Sequence, residues 1–178
     1  MENQDVVVIL DADARTSLSD HLAGGIQEMA RTKGHQVRVI ELRRADTPPC
    51  TGCLFCLTKH PGKCAYGRSF NGITRLARGC RVVLFMAPVR FGTFSSTMKN
   101  VIDRGGLIIT DHQRCLQIVI GYAEDATDEE RSTFIDLIAK HRGKADVVHP
   151  KVKETIEVYF TRCREDNHDI CERLAAVV

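Results

Sequence analysis

Apolar residues along this chain follow two rhythms, and their alternation predicts the architecture. Asp5-Val6-Val7-Val8-Ile9-Leu10 is a short continuous apolar run of the kind that forms a strand buried on both faces. After a polar turn from Asp11 to Ser17, Leu18, Leu22, Ile26 and Met29 recur at helical spacing, predicting a helix that ends near Gly34. Gln36 to Leu42 (QVRVIEL) alternates and is β-branched, predicting a second strand. Arg81 to Met86 (RVVLFM) predicts a third, breaking at Ala87-Pro88, and Leu116 to Tyr122 (LQIVIGY) a fourth. Helices are expected over Phe70 to Ala77, from a Ser95 or Ser96 cap to Asp103, and from Thr127 to His141, where Thr127 and Glu130 stand at capping-box spacing. Thr155 to Phe160 reads as a further strand and Asp169 to Val177 as a closing helix. Strands that alternate with helices imply an α/β fold, a parallel sheet covered on both faces. Ligands of such sheets bind beyond the carboxyl ends of the strands. That places the Asp11–Ser19 turn, the start of a cysteine-rich loop and the Ala87–Ser95 loop along one edge.

Composition narrows the function classes. The 178 residues suit a single domain, 1–178, with a real core. A formal net charge of +2 with dispersed basic residues gives no electrostatic footprint for nucleic acid, and the absence of Trp leaves no base-stacking surface. The acidic, polar Met1–Asp5 start lacks the features of a signal peptide, and no run approaches a membrane span, so no membrane partner and a cytoplasmic setting are expected. In that reducing compartment, clustered thiols bind metal or do redox chemistry more often than they form disulfides.

Three segments carry candidate chemistry. Four of the eight cysteines fall within residues 50–64 as Cys50-x2-Cys53-x2-Cys56-x7-Cys64, in a loop spanning about 49–66. Thiolates so spaced can converge on one soft metal centre, and Cys50, Cys53, Cys56 and Cys64 together supply the four ligands of a [4Fe–4S] cluster. Three alternatives stand beside it. The thiols can serve packing or oligomer contacts, can hold zinc with His60 as a possible member of the set, or can act as free redox thiols. In the Asp11–Ser19 turn, Thr16, Ser17 and Ser19 supply hydroxyls at a helix N-terminus and Arg15 a positive charge, a pattern that suits a phosphate. The same residues also make an ordinary helix cap, and Asp11 and Asp13 repel an anion. In the third segment, Pro88-Val89-Arg90-Phe91-Gly92-Thr93, backbone amides can meet the polar edge of a planar heterocycle, and Phe91 or Phe94 can cover its face. Arg90 can stabilise negative charge on a reduced ring. Read alone, the segment is also a plain βα loop with two core phenylalanines. Of the other cysteines, Cys80 and Cys115 border strands and read as small core residues.

The run Met86-Ala-Pro-Val-Arg-Phe-Gly, followed by Ser95, Met98-Lys99 and Asp103-Arg104, resembles the flavodoxin-like NADPH-dependent FMN reductases. Ser17-x-Ser19-x-x-Leu22 is similar to that family's phosphate loop, and the cysteine run resembles the compact motif of iron-sulfur flavoproteins in the same superfamily. The resemblance covers about residues 5–122. It implies FMN contacts at Thr16, Ser17 and Ser19 for the phosphate and at Pro88, Val89, Arg90, Phe91, Gly92 and Thr93 for the isoalloxazine ring. Two departures stand out. Asp11 and Asp13 replace a Gly-Ser-Pro-Arg type of opening, and Arg90 stands where an aromatic residue is common.

The expectation is a three-layer flavodoxin-type sandwich whose five-stranded parallel sheet has the order 2-1-3-4-5. Its expected function is that of an FMN-dependent oxidoreductase moving electrons from NADPH or NADH to an acceptor, with the cluster as a possible relay. No side chain need act as acid or base, and the family implies a homodimer or larger homo-oligomer. The alternatives are an electron carrier without nicotinamide turnover and a relative that has lost FMN.

Overall fold

The computed structural model describes residues 6–60, 63–67, 71, 80–104, 116–148 and 156–178. Its elements run β1 (Val6–Asp11), α1 (Ser17–Thr32), β2 (Val37–Leu42), α2 (Phe55–Thr58), β3 (Val82–Arg90), β4 (Thr93–Phe94), α3 (Ser96–Asp103), β5 (Leu116–Tyr122), α4 (Asp128–Val148), β6 (Ile156–Thr161) and α5 (Arg164–Ala175). Five strands pair in parallel in the order β2-β1-β3-β5-β6. These are the five strands read from the sequence, in the expected order. The two-residue β4 folds back antiparallel on β3 and was not anticipated.

The continuous apolar runs occupy the middle of the sheet because both its faces are covered. Val7, Ile9, Val83 and Phe85 pack with Met98 and Val101 of α3 and Phe134 and Ile138 of α4. Val6, Val8, Leu84 and Ile118 pack with Leu18, Leu22 and Ile26 of α1 and Ile170 and Leu174 of α5. The alternation of strand residues between these two clusters follows the period-2 geometry of a strand. Buried Asn167 ties the C-terminal layer in: its amide donates to the Leu18 carbonyl at 3.1 Å and its carbonyl accepts from Thr161 Oγ1 at 2.7 Å.

Two boundaries differ from the sequence reading. β3 does not break at Ala87-Pro88 but runs on to Arg90. The Pro88 carbonyl accepts from the Ser95 amide at 3.2 Å on the side where β1 has stopped pairing at Met86, so the missing proline N–H removes no ladder bond. α4 continues past His141 to Val148. The helix expected over Phe70–Ala77, apart from Asn71, lies outside the described residues, as do Cys115 and the stretch 151–154.

Gly121 of β5 shows how tightly the site end of the sheet is packed. A Cβ there would lie 2.6 Å from Phe134 Cε1 and 2.9 Å from Phe160 Cδ2. Both rings belong to the core and pack edge-to-face, so neither can swing aside. Gly121→Ala is therefore expected to lower stability by about 2 kcal/mol, read by urea unfolding.

Candidate flavin and sulfur sites

The first crossover turn begins where β1 ends. Asp11 is 1% exposed and faces inward. One carboxylate oxygen accepts from the Asp13 amide at 3.0 Å, and the other accepts from Ser95 Oγ at 2.5 Å. Ser95 in turn caps α3, its hydroxyl accepting from the Met98 amide at 3.2 Å. Asp11 thus joins the first crossover to the loop after β3, across 84 residues of sequence. Asp13 reaches the other way, accepting from the Arg44 amide at 2.8 Å. Both carboxylates thus hold backbone or side-chain donors from neighbouring segments.

Thr16 and Ser19 form a closed capping box. Thr16 Oγ1 accepts from the Ser19 amide at 3.2 Å, and Ser19 Oγ accepts from the Thr16 amide at 2.9 Å. Ser17, at the first helical position, is exposed. Arg15 is held by Asp20 and Glu41. Tyr122, at the end of β5, closes the turn from below, donating its hydroxyl to the Ala14 carbonyl at 2.9 Å. Burial pushes the Tyr122 phenol well above its ordinary range, so it stays a neutral donor.

The loop after β3 is a two-residue hairpin turn. Phe91 and Gly92 both have positive φ, +51° and +68°, as in a type I′ turn between the paired residues Arg90 and Thr93. Glycine suits that conformation; phenylalanine is strained in it. The strained ring is also 89% exposed, and strain at an exposed aromatic marks a candidate functional position. The two phenylalanines therefore part company. Phe94 is a core residue packed edge-to-face on Phe134 at 5.2 Å, and only Phe91 is presented at the surface. Of the remaining loop residues, Pro88, Val89 and Gly92 are buried, while Arg90 and Thr93 are exposed. The turn rests on α4, where the Phe91 amide supports the Glu130 carboxylate. The Thr127 amide and hydroxyl already bind that carboxylate, and together these donors lower its pKa.

The cysteine loop starts at the same sheet edge but leaves it. Asn100 of α3 donates to the Thr47 carbonyl at 2.8 Å, and Arg104, just past the helix, donates to the Pro49 carbonyl at 3.1 Å and to Cys64 Sγ at 3.8 Å. The loop therefore runs alongside α3, touching it at Asn100 and just past its end at Arg104. Cys50, Cys53, Cys56 and Cys64 all line one cavity of about 150 Å³, closed on one side by Arg104. Asn71 pins Cys64, accepting from its amide at 2.8 Å and donating to its carbonyl at 3.0 Å. Burial raises the Cys56 thiol pKa, and its three neighbouring cysteines add to the effect. Among the described residues no three acidic, thiol or imidazole groups converge as a single ion requires. A zinc ion needs every sulfur about 2.3 Å from one point, and the His60 ring is packed on Phe55 at 4.9 Å. A four-iron cluster takes each thiolate on a different iron, with the sulfurs farther apart. Asn71 and Tyr122 escaped the sequence reading as site residues, and Arg104 entered it only as part of the family motif, with no link to the cysteines.

Asp11→Ala removes the acceptor shared by Ser95 and Asp13. It is expected to cost about 2 kcal/mol in urea unfolding, with Asp11→Asn, which keeps one acceptor, costing less.

The sequence profile of the NADPH-dependent FMN reductases matches residues 5–123. The chain belongs to this family. It is accordingly an NAD(P)H-dependent, FMN-reductase-like oxidoreductase. A search of curated proteins finds no match. Among solved structures, the NAD(P)H:quinone oxidoreductase from Methanothermobacter marburgensis aligns with a TM-score of 0.69 at 14% identity, covering 96% of this chain and 94% of that one. The flavoenzyme NAD(P)H:(acceptor) oxidoreductase FerB from Paracoccus denitrificans aligns at 0.56 and 14% identity, covering 97% and 92%. A flavodoxin from the domain Archaea aligns at 0.53 and 11% identity, covering 96% and 93%. At these identities the structural matches show the shared flavodoxin-like fold. No helix among the described residues of this FMN reductase family member is long and apolar enough to cross a membrane.

Proposed function

We propose that this chain binds FMN across the carboxyl end of its sheet and uses it to pass electrons from NADPH or NADH to a quinone. One observation carries the reading: the Asp11–Ser95 hydrogen bond brings the N-terminus of α1 and the loop leading from the exposed Phe91 turn to the same place. Thr16, Ser17 and Ser19 stand at the tail end of that span, and Pro88 to Thr93 at the ring end. When bound, FMN supplies the redox chemistry, taking a hydride from the nicotinamide and releasing electrons to the acceptor. The residues do the placing. Phe91 offers its face to a flat ring, and Arg90 stands beside it as an exposed cation that favours negative charge on the ring. Pro88 and Val89, buried in β3, fix the height of the turn. No proton need be moved by a side chain. The quinone class is supported by the acceptor named for the Methanothermobacter structure and by the flat apolar surface of Phe91.

The cysteine cavity supports a second element of the proposal, a [4Fe–4S] cluster held by Cys50, Cys53, Cys56 and Cys64. Its buried Arg104 would complement the negative charge of four thiolates. A homodimer or higher oligomer and a cytoplasmic setting complete the reading. Steady-state oxidation of NADPH and NADH by FMN-loaded protein with a benzoquinone acceptor tests the activity. Turnover above that of free FMN is expected; bound flavin with no oxidation of either nicotinamide would favour the electron-carrier alternative.

A further inference from the structure

On the reading that a flavin docks at this edge, we propose that the first crossover turn holds it with little help from its phosphate, so that riboflavin binds nearly as well as FMN. Most of the donors at this turn that would meet a phosphate are engaged within the protein. The capping box takes the Thr16 and Ser19 amides, and the Ser19 hydroxyl donates to the Thr16 carbonyl at 2.9 Å. The Asp13 amide is taken by Asp11, and Asp13 itself accepts from the Arg44 amide. Arg15 donates through Nε to Asp20 at 2.8 Å and through Nη1 to Glu41. Asp20 also lies in the first turn of α1, where its own charge already answers the helix dipole.

The electrostatics point the same way. Asp11, Asp13, Asp20 and Glu41 all border the turn, and two of them share Arg15. A phosphate arriving here adds up to two negative charges to a patch that is already acidic, and it must compete for Arg15 with two carboxylates in place. Where a free helix terminus and an unengaged arginine meet a phosphate, the gain is on the order of a hundredfold in affinity. Here that gain is largely cancelled. Ser17, exposed at the first helical position, remains for a neutral or weakly charged tail such as the ribityl chain.

Fluorescence-quench titration of apo protein with FMN and with riboflavin tests this, in the unaltered chain and in D20N, E41Q and the double variant. Asp20 and Glu41 side chains are 50% and 49% exposed, so both substitutions leave the core intact. The two flavins are expected to bind within about tenfold of each other in the unaltered protein. Release of Arg15 in the double variant should tighten FMN by roughly five- to tenfold and leave riboflavin unchanged. A preference for FMN greater than tenfold in the unaltered chain would overturn the proposal while leaving the flavin site standing. An unchanged ratio in the double variant would overturn the part assigned to Asp20 and Glu41. If neither flavin binds, the flavin site itself falls, and the proposal with it.

Discussion

Gly92→Ala is expected to lower stability by about 2–4 kcal/mol and to weaken flavin binding by at least roughly tenfold. Gly92 sits at φ +68°, a conformation that costs an L side chain on the order of 1–2 kcal/mol. The added Cβ would also lie 2.8 Å from Thr133 Cβ and 3.3 Å from the Glu130 carbonyl oxygen. Thr133 Cβ is attached directly to the α4 backbone, so a rotamer change cannot relieve the contact. Either α4 or the hairpin tip must move. The tip is the less constrained, and with it move Phe91 and Arg90, the two exposed groups assigned to the ring. The distinguishing outcome is a joint loss. Urea unfolding should show the destabilisation, and flavin titration of the folded variant under native conditions the weakened binding. A destabilised variant that still binds flavin normally would detach the turn from the site.

Cys53→Ala is expected to abolish iron retention while leaving the fold unaltered. Cys53 is exposed on the cavity wall, and the core clusters do not include it. Its removal takes one of four thiolates from the cavity and creates no void in the sheet packing. Iron and sulfide analysis of anaerobically purified or reconstituted protein gives the readout, with circular dichroism as the check on folding. Iron content equal to that of the unaltered chain would remove Cys53 from the ligand set. Replacing Cys171 provides the contrast: its thiol lies against Gly25, away from the cavity, and iron content should not change.

The strands were legible because burial on both faces leaves uninterrupted apolar runs, as in Val6–Leu10, Val82–Met86 and Ile118–Ile120. Caps were legible because their signal is local; Ser95, and Thr127 with Glu130, act where their spacing placed them. What escaped depends on partners distant in sequence. Asp11 reads only as a charge in the turn until Ser95, 84 residues away, arrives to donate to it. Phe91 and Phe94 are equivalent in sequence until the hairpin turns one outward and packs the other on Phe134. The end of β3 was misplaced because a proline usually stops a strand, and only the end of β1 pairing at Met86 shows why this one does not. The position of the cysteine loop along α3 follows from Asn100 and Arg104, which no spacing rule connects to it.

The location of the flavin is tested most directly by amide chemical shifts. In an isotope-labelled sample titrated with FMN, the largest changes are expected at residues 16–19 and 90–93, with the cysteine loop little affected. Shifts centred on residues 50–64 and Arg104, with the two crossover loops unmoved, would contradict the account.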